Sequence, residues 1–206
     1  LADTQLNIAL MALREELMSD AAVVQSLKDH FLIAMPGLSG SIFAHSLTYL
    51  CEHSEEGAMG IIVNHPLDLC WGDVFEQLQL RGHCNGDQIV IAGGPVHTDR
   101  GFILHPADSQ SWESSLAVTE DVALTTSLDI ISALAAGSGP PKSLMALGYA
   151  GWAAGQLEEE LADNCWLTLP ADLSILFDAP FERKAAMAAA TLGINLDLLS
   201  SEAGHA

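Results

Sequence analysis

Gly148-Tyr149-Ala150-Gly151-Trp152-Ala153-Ala154-Gly155-Gln156-Leu157-Glu158-Glu159-Glu160-Leu161 reads as the end of a strand, a turn crowded with glycine, and the first turns of a helix. The same alternation extends outward on both sides. Upstream, Pro140-Pro141 forces an extended approach to a strand over 143–148. Before that, a strand over 122–125 leads into a helix capped at Ser127 and stopped at Gly137. Downstream, the helix is expected over 153–163. Two strands follow, over 166–169 and 175–177, separated by Pro170. A last helix over 181–192 ends at Gly193.

The first half is β-rich from Asp29. Phe31-Leu32-Ile33-Ala34-Met35 is a short apolar run closed by Pro36-Gly37. Runs over 46–52 and 59–64 flank the turn Ser54-Glu55-Glu56-Gly57, which is a hairpin signal. Residues 71–80 have helix character, with Val74, Phe75 and Leu78 on one face. Residues 81–87 are loop by composition. Strands over 88–92 and 101–105 are joined through Gly93-Gly94-Pro95 and Thr98-Asp99-Arg100. Hairpins beside βα units predict a mixed α/β (α+β) fold, with helices covering a mixed sheet in a layered sandwich.

Residues 1–26 stand apart. Leu6, Leu10, Leu13 and Leu17 recur at helical spacing, and Met11 or Met18 would serve as the true start. The reading is an N-terminal helical extension over 1–26 and one α/β domain over 27–206.

The formal net charge is −20, with 7 Lys and Arg against 27 Asp and Glu. Nucleic-acid binding draws most of its affinity from clustered cations on phosphates, and no cluster here exceeds a pair. The same field repels anionic membrane surfaces. It suits a basic partner protein. No apolar run approaches the ~20 residues of a membrane span. Cys51, Cys70, Cys84 and Cys165 lack CxxC spacing and read as reduced thiols in a cytoplasmic protein.

Several blocks, in order, resemble the AlgH/YqgE family of small bacterial proteins. They are His30 through Pro36, Tyr49 through His53, Glu56 through Gly60, Gly93 through Val96, Gly101-Phe102 with His105, and Gly148 through Glu158. Asn164, Trp166-Leu167 and Ile175 through Asp178 close the match, which covers about residues 28–195. The resemblance implies a partly barrel-like mixed sheet and a role in transcriptional control, with no particular reaction; the residues offer no helix pair with basic recognition residues, so that control is expected to be indirect. Three positions depart from the family pattern. Ser39-Gly40-Ser41-Ile42-Phe43 stands where an Asp-containing turn is usual, Asn64-His65-Pro66 where Asn-Lys-Pro is frequent, and Lys184 where a Trp commonly follows Arg183.

Glycine between strand and helix can turn amides toward an anion, yet no GK[ST] follows, so no phosphate-gripping lysine is supplied. Gln156 and Glu160 share a helix face, and Glu158 is the acid that matches the family. Cys51 and His53, two apart in a strand, are expected on one face. With HExxH and CxxC missing, no metal or cofactor is assigned. Ser39 misses the G-x-S-x-G elbow by one position.

The expected function is a binding or regulatory module acting through protein or small-ligand contacts, without enzymatic activity and with no catalytic residue assigned. Its ligand site would involve Asn64, Gly93, Gly94, Tyr149, Gly151, Trp152, Gln156 and Glu158, with the glycine pair and the 149–152 turn as opposite rims. One alternative is a hydrolase with its site near 148–158, using Glu158 or a histidine. The other is a DNA-binding regulator, which the charge disfavours.

Overall fold

The structure is a computed structural model that describes residues 26–82, 84–107 and 110–196. The helix and start residues expected within 1–25 lie outside the described residues.

Among the described residues, ten strands form the sheet: β1 (His30–Ala34), β2 (Leu47–Ser54), β3 (Gly57–Ile62), β4 (Pro66–Cys70), β5 (Ile89–Ala92), β6 (Val96–Pro106), β7 (Ser115–Ala117), β8 (Val122–Thr125), β9 (Leu144–Ala153) and β10 (Trp166–Pro170). The helices are α1 (Trp71–Gln77), α2 (Leu128–Ala136), α3 (Gln156–Ala162), α4 (Leu173–Phe177) and α5 (Phe181–Thr191). The strand order is β10-β1-β2-β3-β9-β6-β8-β7, with β4 and β5 on a branch. Neighbours run antiparallel except β5 beside β9. The sheet curls into a half-barrel. Lys28 Nζ, at the entrance to β1, donates to the Ala117 carbonyl of β7 at 3.1 Å, although those strands lie near opposite ends of the order. The mixed α/β fold with a partly barrel-like sheet matches the expectation.

Apolar alternation explains the layers. Phe31, Ile33, Tyr49, Ile61 and Leu104 point into the curl and meet Leu176 of α4 and Ala188 of α5. Leu32, Leu50, Ala150 and Trp152 point outward under α3. Ile103 and Met145 point outward under α1 and α2. Each fully buried large side chain contributes roughly 1.5–3 kcal/mol.

β9 is the axis of this arrangement, and here the structure departs from the sequence reading. The strand does not stop at Gly148; it runs to Ala153, and the turn is Ala154-Gly155. Met145 and Leu147 belong to the outer layer, Tyr149 packs inward, and Ala150 and Trp152 are outward again. The side-chain period is therefore reset by one residue at Gly148, whose φ of 72° marks a bulge. A bulge glycine and a turn glycine look alike in sequence.

Smaller departures have similar causes. Residues 98–100 are not a turn but part of β6, which accommodates them as an irregularity between Val96 and Gly101. Residues 175–177 are not a strand but the end of α4. The Asp172 carboxylate accepts from the amides of Ser174 and Ile175 and caps that helix, and a three-residue apolar run fits either period. Cys51 and His53 do not share a face. A bulge between Leu50 and Glu52 leaves Cys51 in the inner core and turns His53 outward with Ala58. The β2–β3 hairpin, the Ser127 and Gly137 boundaries of α2 and the end of α5 before Gly193 are as expected.

Candidate functional site

The expected ligand residues fall in four places. Gly93 and Gly94 do lie against Gly148 and Tyr149, but no space separates them. A Cβ on Gly94 would sit 2.1 Å from the Tyr149 carbonyl carbon, and one on Gly93 would sit 2.3 Å from the Gly148 oxygen. The chain crosses itself here backbone to backbone. Gly93 N donates to Leu147 O, and Gly93 O accepts from Ile62 N, both at 2.8 Å. That pair of bonds lets β3 and β5 share one edge of β9. Tyr149 packs edge-on against Phe102, ring centroids 5.4 Å apart, and Gly151 borders its ring.

Trp152 and Gln156 converge on Glu160. The indole N–H groups of Trp152 and Trp166 both donate to Glu160 Oε2, at 2.8 and 2.7 Å. Gln156 donates to the other oxygen at 2.9 Å and accepts from Ala153 N at 3.0 Å. Hydrogen bonds to a charged group are worth about 1.5–3 kcal/mol each. Phe43 packs on both indoles, centroids 6.3 Å from Trp152 and 5.3 Å from Trp166. This node therefore anchors the loop between β1 and β2 from behind.

Glu158 points elsewhere. Its Oε1 lies 2.7 Å from His53 Nε2, while His53 Nδ1 accepts from Leu27 N at 2.8 Å. An acceptor at Nδ1 assigns the ring proton to Nε2, the neutral tautomer. Burial opposes ionisation of Glu158. Its backbone hydrogen bond and His53 outweigh that and hold the carboxyl below its usual range. His105 is remote from this pair, buried and bonded to Thr125 Oγ1 at 2.8 Å.

Asn64 alone among the expected residues lines a cleft, of about 750 Å³, between the β1–β2 loop and α5. Met35, Pro36 and Ser39 form one wall, and Phe181, Glu182 and Ala186 the other. His45, Asn64 and His65 lie between them. Asn64 builds the rim: Oδ1 accepts from Leu47 N at 2.7 Å and Nδ2 donates to His45 O at 2.9 Å. That clamp holds His45 at φ 59°, an uncommon conformation for a side-chain-bearing residue. Burial pushes the His65 imidazole below its usual range, and His45 adds to this against an opposing hydrogen bond to the Ala44 backbone. His65 is therefore neutral at pH 7. Ser39 shares the cleft, and among the described residues its hydroxyl bonds to neither imidazole.

Sequence reasoning did not assign His45, His65, Phe181 or Ala186 to a site. The Asn64-His65-Pro66 departure was the one local signal; the other segments are brought together only by the curl of the sheet. Among the described residues, no group of three or more His, Cys, Asp or Glu is placed to hold a metal ion. Among the same residues, no helix is long and apolar enough to cross a membrane.

Comparison with known proteins agrees with this architecture. A family model described as AlgH-like, DUF179, matches residues 31–197. A UPF0301 protein of Saccharophagus degradans is 58% identical over 182 residues, covering 88% of this chain and 89% of its own. The UPF0301 protein AlgH of Pseudomonas aeruginosa is 54% identical over 184 residues, covering 87% of this chain and 96% of its own. The solution structure of the Pseudomonas aeruginosa AlgH protein superposes with a TM-score of 0.74 at 52% identity, over 91% of this chain and all of that one. A crystal structure of a Corynebacterium diphtheriae protein shares the fold at 21% identity, with a TM-score of 0.67 over 84% of this chain and 91% of that one. The chain belongs to the AlgH-like family, DUF179.

Proposed function

We propose that the protein is a cytoplasmic binding module that holds a small molecule, or a short segment of a partner protein, in the cleft beside α5. The observation that carries this reading is the contrast in polar satisfaction. The Gly148–Glu160 region spends its indole, Gln156, Glu158 and Glu160 groups internally, whereas the cleft presents His45 and Glu182, beside a His65 held on one side by the Ala44 backbone, between apolar walls. Open clefts with a few convergent polar groups are the usual form of ligand sites. An influence on transcription would then be indirect, because a chain of net charge −20 lacks the clustered cations that hold phosphate backbones.

Ala186 is exposed on the cleft wall, so Ala186→Trp fills the space without entering the core. Native mass spectrometry of protein recovered gently from its own cells should show a bound species in the wild type and none in this variant, at unchanged circular dichroism. Equal retention by both removes the cleft from consideration. A second reading, a hydrolase, is favoured by one observation: Ser39, His45 and His65 line the same cleft. Labelling of Ser39 by a fluorophosphonate, lost in His65→Ala, would favour it over simple binding.

A further inference from the structure

The entry to β1 is held by one imidazole. His53 lies in β2 with its side chain 2% exposed. Its Nδ1 accepts from the Leu27 amide at 2.8 Å, and its carbonyl accepts from the Ser26 hydroxyl at 2.9 Å. On the far side of the ring, Nε2–H donates to Glu158 Oε1 at 2.7 Å. Leu27 packs against the outer apolar layer that includes Leu32, Leu50 and Leu157. A neutral ring accepts at one nitrogen and donates at the other, whereas an imidazolium donates at both. A second ring proton would set N–H against N–H across 2.8 Å. The charged ring and the Leu27 hydrogen bond therefore exclude each other.

We propose that His53 is a pH-operated latch on this entry segment. Neutral, it holds Leu27 against the outer layer. Protonated, it closes an ion pair with Glu158 and releases Leu27, which uncovers apolar surface beside α3. The surrounding charges leave the decision to these two partners. From α3, Glu158 faces the ring and favours the cation, while Glu160 is taken up by the Trp152 and Trp166 indoles. From β3, uncharged Ala58 lies opposite His53. On β2 and its hairpin turn, Glu52, Glu55 and Glu56 are exposed. At the entry itself, the Lys28 ammonium is bound to Ala117 O, and Asp29 Oδ1 accepts the Tyr49 hydroxyl. A carboxylate thus draws a proton onto the ring and one backbone amide holds it off. The release stays local, because the Asp29 amide is tied separately to Leu50 O at 2.9 Å.

Amide hydrogen exchange of the full chain, resolved by NMR from about pH 8 to about pH 5, spans the range in which imidazoles change charge. The protection factor of the Leu27 amide should be flat at the upper end. It should then fall about tenfold per pH unit once the freed ring takes a proton. The amides of Asp29 and Ile62, bonded to Leu50 O and Gly93 O, should keep their protection throughout. His53→Asn retains an acceptor near the Nδ1 position and does not titrate, so its Leu27 protection should be independent of pH. Should that variant fail to fold, Glu158→Gln decides: with the carboxylate gone, the fall should begin at lower pH with its slope unchanged. Four results would each overturn the proposal: Leu27 protection that stays flat throughout, a fall shared by Asp29 and Ile62, a fall that survives in His53→Asn, or an unchanged onset in Glu158→Gln.

Discussion

The β9–α3 region and the cleft beside α5 put similar residues to opposite uses. In the first, glycine, tryptophan and glutamate are dense, and Gly93, Gly94, Gly148, Trp152, Glu158 and Glu160 are all occupied. Gly93, Gly94 and Gly148 allow one backbone to cross another, and Glu160 takes the indole protons of Trp152 and Trp166. In the second, the polar groups are few and come from distant parts of the chain, yet His45, His65 and Glu182 face open space. A concentration of conspicuous residues marks where a chain must pack most tightly. A cleft is formed by what packing leaves over.

The comparison breaks most visibly at the crossing. Gly94→Ala drives a Cβ into the Tyr149 backbone at a glycine whose φ is 152°, and neither strand can yield. A loss of more than about 4 kcal/mol is expected in urea unfolding. A mild effect would mean that the two segments are not pressed together. By contrast, Ala186→Trp at the cleft should leave stability within about 0.5 kcal/mol of wild type.

Lys184, buried with its ammonium on the carbonyls at the end of α4, tests packing of a third kind. Its amine is lowered by burial from 10.5 to about 8, with Asp178 opposing. Between those values the unfolded chain holds a proton that the folded one does not, so folding stability rises with pH across that window. Wild type should gain up to about 3 kcal/mol relative to Lys184→Met between pH 8 and 10.5. Parallel pH profiles for the two proteins would show that the amine is not desolvated.

At the node, Glu160→Ala leaves two buried indole donors without an acceptor. It should cost about 2–3 kcal/mol and shift the tryptophan fluorescence as the Phe43 loop loosens. The smallest effect belongs to Glu158. Its carboxyl is held below the usual range, so it stabilises the fold above the unfolded-state value and loses that contribution as pH falls through the folded one. The side chain is 38% exposed, and solvent screening keeps the contribution under about 1 kcal/mol. Glu158→Gln should therefore flatten the acid limb of the stability curve only slightly.

These two regions also divide what sequence could reveal. Period and punctuation sufficed for the β2–β3 hairpin, for α2 between Ser127 and Gly137, and for α5, because each is decided by neighbours in the chain. They failed at Gly148, where a strand swerves and resumes, and at 175–177, where the Asp172 cap outweighs a short apolar run. Cys51 and His53 were separated by a single extra residue in β2, which no periodicity announces. Asn64 stood out in the sequence as a ligand candidate, and the structure gives it a backbone role at the cleft rim: it clamps His45 and Leu47. The rest of the cleft depends on the sheet curling until α5 faces the β1–β2 loop, a long-range consequence that no local pattern carries.

The most direct test maps binding onto both regions at once. Isotope-labelled protein is titrated with a small-molecule extract of its native cells, and amide shifts are followed by residue. The account predicts shifts at Met35, His45, His65 and Ala186, with Gly151 to Glu158 unmoved. Shifts confined to Gly151 through Glu158 would contradict it.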